Sequence, residues 1–350
     1  MDKDKNVYCV IMAGGGGARL WPKSRWSKPK QFLDIFGTGK SFIRMTYERF
    51  ARIVPTENFM VVTNIQYKDM VLEHIPELDQ SQILCEPIGR NTAPCICYAA
   101  YSLRKRNPEA KMIVTPSDHM IMQEEEFREI VNELLDFITD HDVLMTVGLT
   151  PSRPETGYGY IAAEIEDGSE IKPVKAFKEK PTLSVAKEYL SAGNYFWNAG
   201  IFIWNAHTLE QAFRTYCPAM ASVFDLLTPC FYRDDEQERV DELFPTCESI
   251  SIDYAVMEKA SGIYVFPASF GWSDLGTWGS LHTRLPHDNH HNACVGENVK
   301  LIESQNCIVH VPKNKRVVIQ GLDGYIVAEK NGTLLICKLQ DEQRIKEFSK

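Results

Sequence analysis

The sequence predicts an α/β protein with a parallel sheet that carries helices on both faces, followed by a small all-β region. Three observations predict it. Strand-like and helix-like segments alternate through the first half, an apolar strand pattern runs directly into a glycine loop, and the segment after residue 292 is β-branched with turn signals. At 350 residues, the chain is long enough for about two domains and a large core.

In the first half, apolar runs of strand length alternate with amphipathic runs of helix length. The strand patterns are Val7–Met12, Phe59–Thr63, Gln82–Cys85, Met112–Thr115 and Val143–Val147. The helix patterns are Ser41–Ile53, Gln66–Ile75, Thr92–Arg106 and Glu124–Ile138. Ligands of such sheets bind outside the carboxyl ends of the strands. We therefore expect function in the loops that follow strands, at 13–30, 86–91 and 116–119.

The second half mixes strands such as Ile263–Phe266 with longer helices such as Arg233–Leu243. Leu285–Asn292 is rich in Pro, His, Asp and Asn, which predicts a linker. Ala293–Leu339 is β-branched and carries turn signals that include Asn331-Gly332, which predicts a small β region. We therefore expect two parts, a catalytic part at 1–285 and a linker with a β tail at 286–350.

Charge, cysteine usage and the pattern of apolar runs argue against several classes of protein. Thirty-eight Lys and Arg against 47 Asp and Glu give a net charge of −9, which disfavours nucleic-acid or anionic-membrane partners. Ten cysteines without a CxxC pair, scattered through apolar segments, predict buried reduced thiols. The N-terminus has no signal-peptide pattern, and no run is apolar enough to span a bilayer. We expect a cytoplasmic protein that binds neither nucleic acid nor a membrane.

The loop after the first strand offers a phosphate site. Four glycines from Gly14 to Gly17 allow backbone N–H groups to close around a phosphate, and Arg19 and Lys30 add positive charge. The loop lacks the third glycine of the dinucleotide fingerprint and also fails the P-loop pattern. Taken alone, a plain tight turn explains the glycine run equally well.

Eight motifs follow one another along residues 7–285. In order they are Gly14-Gly15-x-Gly17-x-Arg19-Leu20-Trp21-Pro22 with Pro29-Lys30-Gln31-Phe32, Glu86-Pro87-x-x-Arg90-Asn91-Thr92-Ala93-Pro94, Pro116-Ser117-Asp118-His119, Glu155-Thr156-Gly157-Tyr158-Gly159-Tyr160, Phe177-x-Glu179-Lys180-Pro181, Trp197-Asn198-Ala199-Gly200-Ile201-Phe202, Ile252-Asp253-Tyr254-Ala255-Val256-Met257-Glu258 and Gly271-Trp272-Ser273-Asp274-Leu275-Gly276. This series resembles the sugar-1-phosphate nucleotidyltransferases, and its Trp-Pro and Lys-Gln-Phe variants resemble the mannose-1-phosphate guanylyltransferase branch. The chain departs from the family at Ala18, where a polar residue is common.

The resemblance implies a Rossmann-like domain with a mixed, mostly parallel sheet, and a C-terminal β domain like part of a left-handed β-helix. It implies the short form of the family, without the isomerase domain of longer relatives. The implied reaction transfers GMP from GTP to α-D-mannose 1-phosphate with the help of Mg²⁺, giving GDP-mannose and pyrophosphate. It also suggests a homodimer. Two alternatives stay open, a nucleotidyltransferase for another NTP or hexose 1-phosphate and a non-catalytic sugar-nucleotide sensor.

The resemblance also assigns roles to residues of this sequence. The implied catalytic set is Arg19, Lys30, Asp118 and Asp274, with the two aspartates holding the metal. The implied nucleotide contacts are Gly14, Gly15, Gly17, Glu86, Arg90, Asn91, Thr92 and Pro116. The implied sugar-phosphate contacts are Gly159, Glu179, Lys180 and Asn198.

The chemistry of the reaction agrees with these residue types. A sugar phosphate has a second pKa near 6, so the nucleophile is ionised at neutral pH and needs no general base. Two polyanions must instead be brought together, which requires cations and a hard metal. Structural interpretations also exist: Asp118 as a turn residue, Lys180 as a solvated lysine, Asn198 as a buried amide, and Arg90 and Asn91 as helix caps. The presence of Arg19, Lys30 and both aspartates favours the enzyme over the sensor.

Overall fold

The computed structural model of the chain describes residues 3–16, 20–165 and 168–349. They fall into two compact units. The first comprises 1–14, 47–117 and 121–272, and the second 15–46, 118–120 and 273–350. The functional division predicted at residue 285 stays a prediction.

The first unit is built on a nine-stranded sheet. Its strands are β1 (Val7–Met12), β2 (Phe59–Asn64), β3 (Ile83–Glu86), β4 (Lys111–Pro116), β6 (Leu144–Leu149), β7 (Tyr160–Ala163), β8 (Lys172–Lys178), β9 (Tyr195–Asn205) and β10 (Ile263–Ala268). The short strands β5 (Met120–Ile121) and β11 (Trp272–Ser273) lie outside it. The order is β3-β2-β1-β4-β9-β6-β10-β8-β7.

Pairing within this sheet is mixed, with four parallel and five antiparallel strand pairs, and seven of the nine strands run in the same direction. Strand β1 runs parallel to both β2 and β4, and β6 runs parallel to β10. Strand β9 runs antiparallel to β4 and β6, and β8 runs antiparallel to β10. It follows that β4 and β10 end at the same edge of the sheet. The predicted α/β class with a mixed, mostly parallel sheet is confirmed.

In the described part of the first 285 residues, each of the five predicted helical intervals contains an α-helix, and four further α-helices form. Together they are α1 (Phe42–Phe50), α2 (Lys68–His74), α3 (Thr92–Arg106), α4 (Glu124–Asp140), α5 (Leu183–Ala192), α6 (Ala206–Tyr216), α7 (Pro218–Leu227), α8 (Glu236–Leu243) and α9 (Trp278–His282). Helix α4 shows why they form. Three glutamates occupy its first turn, where negative charge suits the helix dipole, and Phe127, Val131, Leu134 and Ile138 are buried at helical spacing.

The second unit contains the predicted β region. Its strands are β12 (Ala293–Val295), β13 (Asn298–Ile302), β14 (Ile308–His310), β15 (Arg316–Gln320), β16 (Tyr325–Lys330) and β17 (Thr333–Lys338), and α10 (Ile345–Phe348) follows. Strands β12, β14 and β16 pair in parallel, β13 pairs in parallel with β15, and β17 adds an antiparallel edge. The handedness implied by the resemblance to a β-helix stays a prediction.

The core of the second unit joins distant parts of the sequence. Leu33, Ile35 and Phe42 are buried in one cluster with Ile308 and Ile326. The imidazole Nε2 of His310 bonds the Ile35 carbonyl at 2.9 Å. The tail is therefore part of the structure that holds Leu33, Ile35 and Phe42 in place.

All ten cysteines are free thiols, and six of them are buried. Cys294 differs from the expected buried state because side chains of β12 alternate, so that Ala293 fills the core and Cys294 is exposed. Among the described residues, no helix is long and apolar enough to cross a membrane.

Candidate active site

The order of strands reverses at β1, which lies between β2 and β4. Such a switch point opens a crevice at the carboxyl ends of the strands, where α/β proteins bind ligands. Met12, the last residue of β1, pairs with Val62 and with Pro116 at the end of β4. The glycine loop leaves the sheet here, as predicted. Gly17 and Arg19 lie outside the described residues.

Glu86 ends β3 and carries an unusual carboxyl group. It is 4% exposed, and its Oε1 accepts no hydrogen bond within the described part of the chain. Burial raises its pKa to about 8. Its Oε2 would lie 3.3 Å from a Cβ placed on Gly14, so the carboxyl packs against the glycine loop. A buried acceptor without a donor is uncommon and points to a ligand that supplies N–H groups.

The segment after Glu86 is held mainly by contacts within the protein. Arg90 donates from Nη2 to the Pro245 carbonyl at 2.5 Å. Asn91 caps α3, since its side chain accepts from the Thr92 N–H at 2.9 Å. The Thr92 hydroxyl accepts from the Ile252 N–H at 2.9 Å. The structure thus gives each of these predicted nucleotide contacts an internal role, and their contact with a base stays a prediction.

Lys30 is buried and gathers the two candidate metal ligands. Its ammonium lies 2.9 Å from Asp118 Oδ2 and donates to the Asp118 carbonyl at 3.0 Å. It also donates to the Asp274 carbonyl. With only 5% exposure, Lys30 directs its hydrogens at these oxygens. Although burial alone would raise the pKa of Asp118, the charges of Lys30 and His119 hold it below its usual value.

The oxygens at Asp118 and Asp274 suit a hard divalent cation. The Asp118 carboxylate is about one third exposed, and Asp274 Oδ1 accepts from the Gly276 N–H at 3.1 Å. Within the described ranges, no cluster of three or more Cys, His, Asp or Glu side chains is placed to bind a metal. Mg²⁺ commonly uses one or two carboxylates together with substrate phosphates, so these two residues fit that ion.

Gly159, Glu179 and Asn198 come together on the first unit. Asn198 donates its backbone N–H to the Gly159 carbonyl at 2.8 Å. A Cβ on Gly159 would lie 2.5 Å from Glu179 Oε2 and 3.7 Å from Asn198 Nδ2. Glycine at position 159 is therefore required, because a side chain there would collide with the Glu179 carboxylate, which lies beside the Asn198 amide. Lys180 adjoins the group, with Nζ 2.5 Å from Glu179 Oε1 and its side chain 60% exposed.

The structure adds a residue to this group that sequence reasoning did not assign. Asp253 Oδ1 accepts from Asn198 Nδ2 at 2.7 Å, although the two lie 55 positions apart. Burial, and then the charge of Glu179, raise the pKa of Asp253. The available signal was a carboxylate within the apolar run from Ile252 to Met257.

Backbone strain accompanies three of the candidate motifs. Asn91, Lys180 and Leu275 have positive φ values of 67°, 42° and 43°, and residues other than glycine rarely adopt this backbone conformation. Such strain persists only where surrounding structure holds it, and it is common at functional sites. Each lies in a predicted loop or beside a predicted site residue.

Comparison with known proteins identifies the family of the chain. Residues 8–290 match the family described as Nucleotidyl transferase. The xanthan biosynthesis protein XanB of Xanthomonas campestris is 36% identical over 345 residues, which are 98% of this chain and 72% of XanB. The mannose-1-phosphate guanylyltransferase of Escherichia coli K12 is 34% identical over an alignment of 354 positions, which covers 96% of this chain and 73% of that relative.

A solved structure from Thermus thermophilus, described as mannose-1-phosphate geranyltransferase, matches with a TM-score of 0.88 and 31% identity over 98% of both chains. A family match over most of the chain and a relative above 30% identity establish membership. The chain belongs to the nucleotidyl transferase family and groups with its members named mannose-1-phosphate guanylyltransferase.

Proposed function

We propose that this nucleotidyltransferase transfers GMP from GTP to α-D-mannose 1-phosphate, releasing pyrophosphate and forming GDP-mannose. The observation that carries the choice of nucleotide is the buried carboxyl of Glu86 beside Gly14, whose Oε1 accepts no hydrogen bond from the described residues. Guanine presents N–H donors at N1 and N2, whereas adenine presents an acceptor at N1. In its ionised form this carboxyl accepts from guanine and repels the adenine edge.

The sugar is proposed to bind at Gly159, Glu179 and Asn198. A carboxylate accepts from two hydroxyls, and an amide both donates and accepts, so the pair suits a vicinal diol. Lys180 supplies a flexible cation next to Glu179 for the phosphate of the sugar. The relatives named for mannose 1-phosphate support mannose as the hexose.

The proposed chemistry needs charge neutralisation more than proton transfer. An oxygen of the sugar phosphate attacks the α-phosphorus of GTP, a P–O bond forms, and the bond to the β-phosphate oxygen breaks as pyrophosphate leaves. Lys30 holds Asp118 and Asp274 in place, and Arg19 and Lys180 supply further positive charge. When bound at the two aspartates, Mg²⁺ would neutralise charge on the phosphates.

Two other functions would use parts of the same site. Another NTP or hexose 1-phosphate would use the same framework with different base or hydroxyl contacts. A non-catalytic sensor would retain the base and sugar contacts but would not need a lysine buried against two aspartates. A homodimeric assembly belongs to the proposal on the family resemblance, and a cytoplasmic location belongs to it on the ten free thiols.

The test measures pyrophosphate release for GTP, ATP, UTP and CTP, each with mannose, glucose and galactose 1-phosphate. We expect at least about tenfold preference for GTP over ATP, because one lost pairing of a buried polar group costs about 1–3 kcal/mol. Glu86→Gln should reduce that preference. Glu329→Gln is the matched control, since Glu329 is also buried and its Oε2 accepts no hydrogen bond from the part of the chain that the structure describes, but it lies in the tail.

Equal turnover of GTP and ATP by the wild type would refute the guanylyl assignment. A Glu86→Gln variant that kept the full preference would show that another group selects the base. Absence of turnover with every pair of substrates would favour the sensor.

A further inference from the structure

Asp253 lies at a well-anchored point of the first unit. It begins a single π-helical turn, Asp253–Met257, a geometry found often at functional sites. The residue before it, Ile252, donates its N–H to Thr92 Oγ1, and Cys217 Sγ bonds the Ala255 carbonyl at 3.3 Å. The backbone is therefore anchored just before Asp253 and again within its turn.

The contacts of Asn198 fix which way its amide faces. Its Nδ2 donates to Asp253 Oδ1 at 2.7 Å, and its Oδ1 accepts from the Gly200 N–H at 3.0 Å. A carboxylate only accepts and a backbone N–H only donates, so a flipped amide would lose both bonds. Among the residues that the structure describes, the second N–H and the second oxygen lone pair of Asn198 have no partner, so both are left for a ligand.

The side-chain nitrogen of Asn198 lies near the carboxylate of Glu179. Both Asn198 Nδ2 and Glu179 Oε2 lie within 3.7 Å of the point that a Cβ on Gly159 would occupy. Keeping Asp253 ionised is unfavourable here, because burial and the nearby negative charge of Glu179 both raise the pKa of Asp253. An asparagine at 253 would avoid that repulsion, but its amide can donate as well as accept, so only the Gly200 N–H would still select the orientation of the Asn198 amide.

We propose that Asp253 is a positioning residue for sugar recognition: it locks the Asn198 amide so that one N–H and one lone pair face the hydroxyls of the hexose 1-phosphate. The proposal rests on the proposed function, in which Gly159, Glu179 and Asn198 bind the sugar. Asp253 acts through Asn198 and needs no contact with the substrate.

The kinetic test uses Asp253→Asn in the full chain. Charge-assisted hydrogen bonds are about twice as strong as neutral ones, so we expect kcat/KM for mannose 1-phosphate to fall about ten- to a hundredfold. The KM for GTP should stay within about twofold. Asp323→Asn is the matched control, because Asp323 accepts from the Asn306 amide at 2.9 Å in the tail. An Asp253→Asn variant with an unchanged KM and kcat for the sugar phosphate would overturn the proposal.

The exchange variant Asn198→Asp with Asp253→Asn separates positioning from structural support. It restores a hydrogen bond between the two positions but removes the N–H that faces the sugar. We expect recovery of the melting temperature without recovery of kcat/KM for mannose 1-phosphate. Recovery of both would show that the pair is structural only.

A measurement on the wild type covers the case in which the variants do not fold. With ¹⁵N-labelled asparagine, the Asn198 side-chain signals should shift on addition of mannose 1-phosphate and not on addition of GTP. Unmoved Asn198 signals in an enzyme that forms GDP-mannose would overturn the proposal. A wild type that forms no GDP-mannose with saturating substrates would instead refute the proposed function.

Discussion

Replacing Gly159 by alanine should damage sugar binding through a contact that the structure measures. The added Cβ would lie 2.5 Å from Glu179 Oε2, closer than side-chain carbons approach oxygens. The carboxylate would have to retreat by about 0.9 Å to reach ordinary contact. The side chain of Glu179 is only 14% exposed and is tied to Lys180, so little free space surrounds it.

The expected loss follows from the hydrogen bonds that Glu179 would make. A hydrogen bond to a charged group contributes about 1.5–3 kcal/mol, which corresponds to about ten- to 150-fold in affinity. We expect calorimetric affinity for mannose 1-phosphate to fall within that range in Gly159→Ala, with GTP affinity unchanged. Thermal unfolding monitored by circular dichroism checks that the variant is folded.

Gly89→Ala provides the control for the substitution itself. A Cβ on Gly89 would meet no atom of the described residues within 4 Å, so affinity for the sugar phosphate should not change. If folded Gly159→Ala bound mannose 1-phosphate within twofold of the wild type, Glu179 would not be a sugar ligand.

Three further predictions concern the metal, the base and the tail. Asp118→Asn and Asp274→Asn should each reduce turnover by about 10²–10³, and the double variant should be little worse, because both act through one ion. A Mg²⁺ titration checks this, and near-normal activity with an unshifted requirement would remove that aspartate from the site. Because the pKa of Glu86 is about 8, its carboxylate becomes more available as pH rises, so the ratio of GTP to ATP affinity should increase from pH 6 to 8.5. A pH-independent ratio would contradict the role of Glu86. A chain ending at Leu285 should unfold at lower temperature, since Leu33 and Ile35 lose their contacts with Ile308 and Ile326, and an unchanged melting curve would contradict this account.

Local sequence signals predicted the elements and the loops well, because they depend on neighbouring residues. The interval Thr92–Arg106 was predicted as a helix and is α3, where Asn91 supplies the cap. The alternation of strands and helices gave the parallel part of the sheet. The antiparallel insertion of β9 has no local signal, since it depends on which strands pair.

Contacts between distant residues could not be predicted. Lys30 carries charge suited to phosphate, yet two of its partners are backbone carbonyls, which every residue possesses. Asp253 meets Asn198 only because of the way two segments pack. Joint burial of Leu33 with Ile326 likewise depends on the fold rather than on periodicity.

The most direct test follows the oxygen atoms of the sugar phosphate by ³¹P NMR. The chain is incubated with GTP, Mg²⁺ and mannose 1-phosphate whose three non-bridging phosphate oxygens carry ¹⁸O. The proposed attack on the α-phosphorus predicts equal amounts of GDP-mannose and pyrophosphate, with all of the ¹⁸O in GDP-mannose. Label in pyrophosphate, or pyrophosphate without GDP-mannose, would contradict the proposed reaction.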